Sequence, residues 1–178
     1  MENNWKILSK ETVFENEWRG VDKYVVDLSG GKTDDFFVTT TLDAAMVCAI
    51  TKTNKVVIIQ HYHFLYKKRM YELPAGFVEN SDHRKTVEQE LLEETGYAAE
   101  KFVHLGSSDV ERWRVGRMHY YVALGAEKVS EQDLEDSEDI EVELVDIAEF
   151  RNMLKENKIE NGPSIVGGYM ALDYLDKL

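Results

Sequence analysis

Alternating hydrophobic and polar positions run through much of the chain and predict β-strands. The segments WRGVDKYVVDL and DDFFVTTT are separated by the turn LSGGKT, and AAMVCAI and KVVIIQHY by Thr51–Asn54. Each pair therefore predicts a β-hairpin. Further strands are predicted at KFVHLGSS, RMHYYVALGA and IEVELVDI, and the acidic stretch SEQDLEDSED between the last two is predicted to be a loop.

Helical periodicity is confined to three segments. HRKTVEQELLEET has a cap at Ser81 or Asp82 and stops at Gly96, while AEFRNMLKEN and SIVGGYMALDYLDKL are separated by the turn NGP. The order of many strands, one helix, more strands and two helices predicts an α+β fold with helices on a mixed sheet. Residues 1–40 are predicted to form a small N-terminal antiparallel β-sheet lobe that pairs with another subunit, and 41–178 the main domain.

The amino-acid composition limits the kinds of molecule that the protein is expected to bind. The chain of 178 residues carries 34 acidic and 21 basic side chains, a formal net charge of −13. Such a surface repels nucleic acid and suits a divalent cation, although most of these charges are solvated surface in the simplest interpretation. Cys48 is the single cysteine and is predicted to be a small buried hydrophobe. Because no signal peptide or membrane-spanning run is evident, we expect a cytoplasmic protein without a membrane partner.

Three glutamates on the first predicted helix suggest a metal site. Glu90, Glu93 and Glu94 stand at positions i, i+3 and i+4, so they share one face near the helix C-terminus. Like charges at this spacing repel by roughly 0.2–0.5 kcal/mol per pair, and the helix dipole adds to the penalty. A hard cation such as Mg²⁺ would reverse the sign of that repulsion. The alternative is an ordinary solvated acidic face.

The stretch GFVENSDHRKTVEQELLEETGY resembles a Nudix box, G-x5-E-x7-R-E-U-x-E-E-x-G-U, where U is aliphatic. Gly76 matches the first glycine, the three glutamates and Gly96 are in register, and ELPAG is typical of the ADP-ribose pyrophosphatase branch. The resemblance extends from about Trp18 to the C-terminal helix. It implies an α/β/α sandwich built on a Nudix-like mixed sheet.

The chain departs from the Nudix pattern at several positions. The box is one residue short between Gly76 and Glu90, so Asp82 only approximates its first glutamate, and Gln89 stands where the box has arginine. His63 occupies a position where the branch often has arginine. DVERWRVGR replaces the proline-containing loop of many ADP-ribose hydrolases. These departures bear on the choice of substrate more than on the metal.

The resemblance implies hydrolysis of the pyrophosphate bond of a nucleoside diphosphate linked to another group, with Mg²⁺ or Mn²⁺ as cofactor. ADP-ribose or a related nucleotide sugar is the leading substrate, giving AMP and a sugar phosphate. The implied metal ligands are the carbonyl of Ala75 and the carboxylates of Glu90, Glu93, Glu94 and Glu138. Among the acids that hold the metal or orient the attacking water, the implied catalytic residues are Glu94, Glu138 and Asp136.

Substrate contacts are predicted for two arginines and two aromatic residues. Arg69 and Arg117 are candidates for phosphate binding, with ordinary surface salt bridges as the alternative. Trp113 and Tyr62 are candidates for stacking on a base or ribose, although aromatic residues more often pack in cores or interfaces. Three histidines, His61, His63 and His119, show no recognisable zinc spacing and are predicted to be structural or to support the site.

Two other functions remain open from the sequence. Gln89 and the short box leave room for a Nudix domain that binds nucleotide without turnover. A hydrolase of modified nucleoside triphosphates or dinucleoside polyphosphates would use the same metals with different specificity loops. By analogy with the branch, we also expect a homodimer formed through the N-terminal strands.

Overall fold

The computed structural model describes residues 5–178, which form two compact units. Unit 1 contains the described residues up to Asp43 together with Asp109–Arg117, and unit 2 contains Ala44–Ser108 and Met118–Leu178. The first four residues of the predicted lobe, 1–40, lie outside the described residues. Within residues 5–178, no helix has both the length and the apolar character needed to cross a membrane.

The described residues contain twelve strands and three helices. The strands are β1 Lys6–Glu15, β2 Arg19–Asp27, β3 Thr33–Thr41, β4 Ala44–Thr51, β5 Lys55–His63, β6 Lys68–Glu72, β7 Ala75–Phe77, β8 Tyr97–Ala98, β9 Lys101–Asp109, β10 Arg114–Val115, β11 Arg117–Lys128 and β12 Ile140–Asp146. The helices are α1 His83–Thr95, α2 Ile147–Lys155 and α3 Gly162–Leu175.

Unit 1 is a four-stranded sheet in the order β1-β2-β3-β10. The predicted hairpin of β2 and β3 is confirmed, and its turn is closed by a 2.8 Å hydrogen bond from the Leu28 N–H to the Lys32 carbonyl. Strand β1 is antiparallel to β2 and exposed throughout. Sequence patterns did not predict β1, because its apolar residues come in adjacent pairs rather than in alternation.

Unit 2 is built on an eight-stranded mixed sheet in the order β12-β5-β4-β11-β8, with β6, β7 and β9 paired at its sides. Strands β4 and β11 are parallel, whereas β4 and β5 form the predicted antiparallel hairpin. That hairpin opens after two residue pairs, so that β7 takes over as the partner of the first half of β4. This split places the Pro-Ala-Gly turn against the centre of the sheet.

Helices cover both faces of the unit 2 sheet. Ala45, Val47 and Ala49 of β4 pack in one buried cluster with Val87 and Leu91 of α1. On the other face, α3 packs so closely that a Cβ at Gly167 would lie 3.2 Å from the Met46 sulfur. Because both faces of β4 are covered, its eight residues are all buried, which explains the uninterrupted apolar run AAMVCAI. The predicted α+β class with helices on a mixed sheet is confirmed.

Candidate functional site

Helix α1 begins and ends at defined caps. The Asp82 carboxylate accepts a 3.0 Å hydrogen bond from the Lys85 N–H, and Gly96 ends the helix in the left-handed conformation at φ 74°. Val87 and Leu91 are fully buried and fix the rotation of the helix on the sheet. The side chains of Glu90, Glu93 and Glu94, on the neighbouring face of α1, therefore have a fixed direction relative to the unit 2 core.

The Ala75-Gly76 backbone lies directly beneath two of these glutamates. The Ala75 N–H donates a 3.0 Å hydrogen bond to Oε2 of Glu94, whose side chain is almost completely buried. A Cβ at Gly76 would lie 1.7 Å from Oε1 of Glu90, so a side chain there would displace that carboxylate. Glycine at this position leaves room for the close approach of the Glu90 side chain and is not there to allow an unusual backbone angle.

Partial or full burial and the charges of neighbouring carboxylates raise the pKa of all three carboxyl groups. Burial, followed by the charge of Glu93, raises the pKa of Glu90 to about 7. Burial and then Glu90 raise the pKa of Glu94 well above its usual value, against the opposing hydrogen bond from Ala75. Burial, and then Asp133, also raise the pKa of Glu93. The Glu90 carboxylate therefore binds a proton near neutral pH, and a cation can take the place of that proton.

The acidic loop after β11 contributes further negative charge. Glu138 is half-buried, and its charge helps to raise the pKa of each of the three α1 glutamates. Its carboxylate accepts a 2.9 Å hydrogen bond from the Glu135 N–H, which closes a tight turn. Asp136 lies exposed in the same turn. The assignment of Glu138 and Asp136 to catalysis stays a prediction.

Gln132, which sequence analysis did not single out, fastens this loop to the end of α1. Its side-chain amide donates to the backbone carbonyls of Glu94 at 2.7 Å and Ile140 at 3.2 Å. The Asp133 N–H adds a 2.9 Å hydrogen bond to the Glu93 carbonyl. A glutamine in an acidic loop gives no sequence signal for this role, because its partners are backbone atoms remote in the chain.

Arg69 and Tyr62 are neighbours on the paired strands β5 and β6. The Arg69 guanidinium hydrogen-bonds to the Gln60 carbonyl at 3.1 Å and forms ion pairs with Asp139 and Glu141. It therefore makes the salt bridges that were the alternative to phosphate binding. Tyr62 is 42% exposed, so its ring is accessible. Substrate contact by either residue remains a prediction.

Arg117 and Trp113 belong to unit 1. The Arg117 N–H donates a 2.7 Å hydrogen bond to Asp43, and its guanidinium lies 3.4 Å from Asp109. The Trp113 ring stacks on Phe36 with 5.1 Å between centroids. Their predicted contacts with phosphate and base remain untested predictions.

A polar group involving the ELPAG segment was also missed by sequence analysis. Glu72 lies 2.8 Å from Nε2 of His63 and accepts a 3.1 Å hydrogen bond from the Asn161 side chain at the start of α3. The charge of Glu72 contributes to the raised pKa of Glu94. His61, His63 and Glu72 have ligand atoms within 4.8 Å of one another. The glutamate of ELPAG was the signal that could have directed attention here.

Comparison with known proteins places the chain in a family. The NUDIX domain profile matches residues 40–165, which is more than half of the chain. The chain belongs to the NUDIX family. This confirms the predicted resemblance, including its ADP-ribose pyrophosphatase-like character.

Two relatives and one solved structure are similar to this chain over much of its length. The chain is 29% identical over 173 residues to the methanol dehydrogenase activator of Bacillus methanolicus, covering 96% of this chain and 91% of that protein. It is 30% identical over 103 residues to the ADP-ribose pyrophosphatase of Bacillus subtilis strain 168, covering 56% of this chain and 55% of that protein. The crystal structure of an ADP compounds hydrolase superposes with a TM-score of 0.85 at 18% identity, covering 97% of this chain and 95% of that one.

Proposed function

We propose that the protein hydrolyses the pyrophosphate bond of a nucleoside diphosphate linked to a sugar, with ADP-ribose as the leading substrate. The observation that carries this proposal is the pair of carboxylates held against the Ala75-Gly76 backbone, that of the half-buried Glu90 and that of the buried Glu94. Their repulsion and desolvation disfavour the charged state unless a cation is bound. The relatives that act on ADP-ribose or ADP compounds support the substrate class.

The donor set fits Mg²⁺ or Mn²⁺. Glu90, Glu93, Glu94 and Glu138 offer only carboxylate oxygens, which hard divalent cations prefer, and the Ala75 carbonyl adds a neutral oxygen. A cation held there would neutralise charge on the phosphate oxygens and lower the pKa of a bound water. The raised pKa of Glu90 means that cation binding releases a proton near neutral pH.

In the proposed reaction, water attacks one phosphorus and the P–O–P bridge breaks, which gives AMP and a sugar phosphate. We assign acceptance of the water proton to a carboxylate of the acidic loop, Glu138 or Asp136. Glu138 is the better candidate, because its charge contributes to the raised pKa of each of the three α1 glutamates. Arg69 would contribute positive charge to the phosphates if substrate displaces its present partners, Asp139 and Glu141.

The test is a panel of nucleotide sugars, dinucleoside polyphosphates and nucleoside triphosphates at fixed Mg²⁺, with chromatographic identification of products. We expect AMP and ribose phosphate from ADP-ribose, and a loss of about 100-fold or more in kcat/KM for Glu94→Gln. Glu88→Gln is the matched control, because Glu88 is an exposed carboxylate on the same helix paired with Arg84. A wild-type protein that binds these nucleotides without turnover would support the non-catalytic alternative instead.

A second candidate function is activation of a dehydrogenase. It is favoured by the similarity to the methanol dehydrogenase activator, which extends over nearly the whole of both chains. Adding the purified protein to the Bacillus methanolicus methanol dehydrogenase would test it, with the dehydrogenase rate as the readout. A rate that is unchanged by wild-type protein would reject this function.

We further propose that unit 1 pairs with a second copy of the chain. Strand β1 is an edge strand exposed throughout, and an apolar groove of unit 1 is lined by Trp5, Ile7, Tyr24, Phe36 and Trp113, among others. Large exposed apolar surface beside an open strand edge favours protein association. Light scattering should give a dimer for the wild type and a smaller mass for Ile7→Asp. A monomeric wild type would reject the homodimer.

The cytoplasmic location stays a prediction.

A further inference from the structure

Three histidines from different elements of unit 2 come together away from the α1 glutamates. His83 is the first residue of α1, His104 lies on β9 and His119 on β11. Their ligand nitrogens lie within 4.8 Å of one another. The rings of His83 and His119 are stacked with 4.2 Å between centroids, and that of His104 lies 5.1 Å from His83. His83 precedes Glu90 by two helical turns, about 10 Å along the helix axis.

Two hydroxyl groups orient these rings. The Tyr121 hydroxyl lies 2.5 Å from Nδ1 of His83, and the Ser107 hydroxyl lies 2.7 Å from Nδ1 of His119 and 3.2 Å from Nε2 of His104. Oxygen partners on the second nitrogen are the usual means by which proteins hold a histidine for metal binding. Tyr121 is buried, so its hydroxyl is held in place by the core.

We propose that His83, His104 and His119 form a binding site for Zn²⁺ that is separate from the carboxylate site of the hydrolase. Three imidazoles are the ligand set of many open zinc sites, with a water in the fourth position. The ion would bind one ring nitrogen of each histidine. It would link the start of α1 to β9 and β11.

The donor atoms of the cluster suit a transition metal, because neutral imidazole is a common metal ligand in proteins. Zn–N bonds of about 2.0–2.1 Å at tetrahedral angles put ligand nitrogens about 3.3 Å apart. The planes of the His83 and His119 rings are 10° apart, so the half-buried His83 ring must turn before both rings can point a nitrogen at one ion. His104 is exposed, so its ring has room to turn and close the remaining distance. Imidazole ligands without carboxylate favour zinc over magnesium.

The site was not evident from the sequence because its members are spread over three elements. Zinc motifs are recognised by short ligand spacings, and none connects positions 83, 104 and 119. The pairing of β9 with β11 and the placement of α1 on the sheet create the cluster. It therefore depends on tertiary structure alone.

The test is a titration of the metal-free protein with Zn²⁺, using a competing chromophoric chelator. Excess Mg²⁺ is present throughout to occupy the α1 carboxylates. We expect one zinc equivalent in the wild type and an affinity weaker by about 100-fold or more in His104→Ala. Tyr121→Phe, which removes only the orienting hydroxyl, should weaken binding by about 10–100-fold. Circular dichroism of the zinc-free variants checks that each remains folded.

His63→Ala is the matched control, because His63 belongs to the other histidine-containing group, with His61 and Glu72. Its zinc affinity should equal that of the wild type. The proposal is overturned if His104→Ala binds zinc as tightly as the wild type, or if His63→Ala is the variant that loses binding. Hydrolase activity does not enter the readout, so this outcome is independent of the proposed function.

Discussion

Replacing Gly76 by alanine tests whether the position of the Glu90 carboxylate controls the hydrolase. The new Cβ would lie 1.7 Å from Oε1 and 2.2 Å from Cδ of Glu90, whereas ordinary van der Waals contact begins near 3.4 Å. The carboxylate must therefore move by roughly 1.7 Å, the difference between 3.4 and 1.7 Å. The obstacle is the end of a flexible side chain, so the backbone need not change.

The displacement predicts a large kinetic effect and a small effect on stability. A misplacement of about 1 Å at a reacting centre can cost about 100-fold in rate, which corresponds to about 2.7 kcal/mol of transition-state stabilisation. Alanine also reduces the entropy of the unfolded chain by about 0.4–1 kcal/mol, which offsets part of any strain in the folded state. We expect kcat/KM to fall about 100-fold while Tm changes by only a few degrees.

The assay measures kcat/KM for ADP-ribose as a function of Mg²⁺ concentration, with Tm measured by calorimetry. The matched control is Gly162→Ala, because a Cβ at Gly162 meets no atom within 4 Å. The control should retain wild-type values of both quantities. If Gly76→Ala retains wild-type kcat/KM and Mg²⁺ dependence, Glu90 does not have the role proposed here.

Two further predictions concern pH and the acidic loop. Because the pKa of Glu90 is raised to about 7 in the folded state, the folded protein binds a proton between about pH 4.5 and 7 that the unfolded chain releases. Without divalent cation, the free energy of unfolding should therefore fall as the pH rises through this window, with Glu90 alone contributing about 3 kcal/mol, and Glu90→Gln should show a flatter pH profile of stability. Gln132→Ala removes the hydrogen bonds to the Glu94 and Ile140 carbonyls, so it should cost about 1–2 kcal/mol and lower Tm by about 2–8 °C in calorimetry. An unchanged Tm would mean that Gln132 does not fasten the loop.

Sequence reasoning succeeded where the signal was local. The helix from His83 to Thr95, its cap at Asp82 and its end at Gly96 follow from the residues themselves. The continuous run of apolar residues in β4 and the alternation of apolar and polar residues in β2 can likewise be read from the residues of each strand. The spacing of the three glutamates suggested a cation, and the family motif added the expected reaction.

Features that depend on contacts between residues far apart in the sequence could not be predicted in the same way. Nothing in the sequence indicates that Asp109–Arg117 joins the strands of unit 1 through β10 and β3. The anchoring of the acidic loop by Gln132 depends on backbone carbonyls whose positions only the fold supplies. The histidine cluster has the same origin, since β9, β11 and α1 meet only in the folded chain.

Hydrolysis as proposed requires a divalent cation bound between the Glu90 and Glu94 carboxylates of α1. The most direct test of this requirement is anomalous diffraction from a crystal soaked in Mn²⁺. We expect a peak about 2.0–2.3 Å from oxygens of both glutamates, and loss of that peak in Glu90→Gln. Ordered Glu90 and Glu94 side chains with no peak between them, in a crystal that binds Mn²⁺ elsewhere, would contradict it.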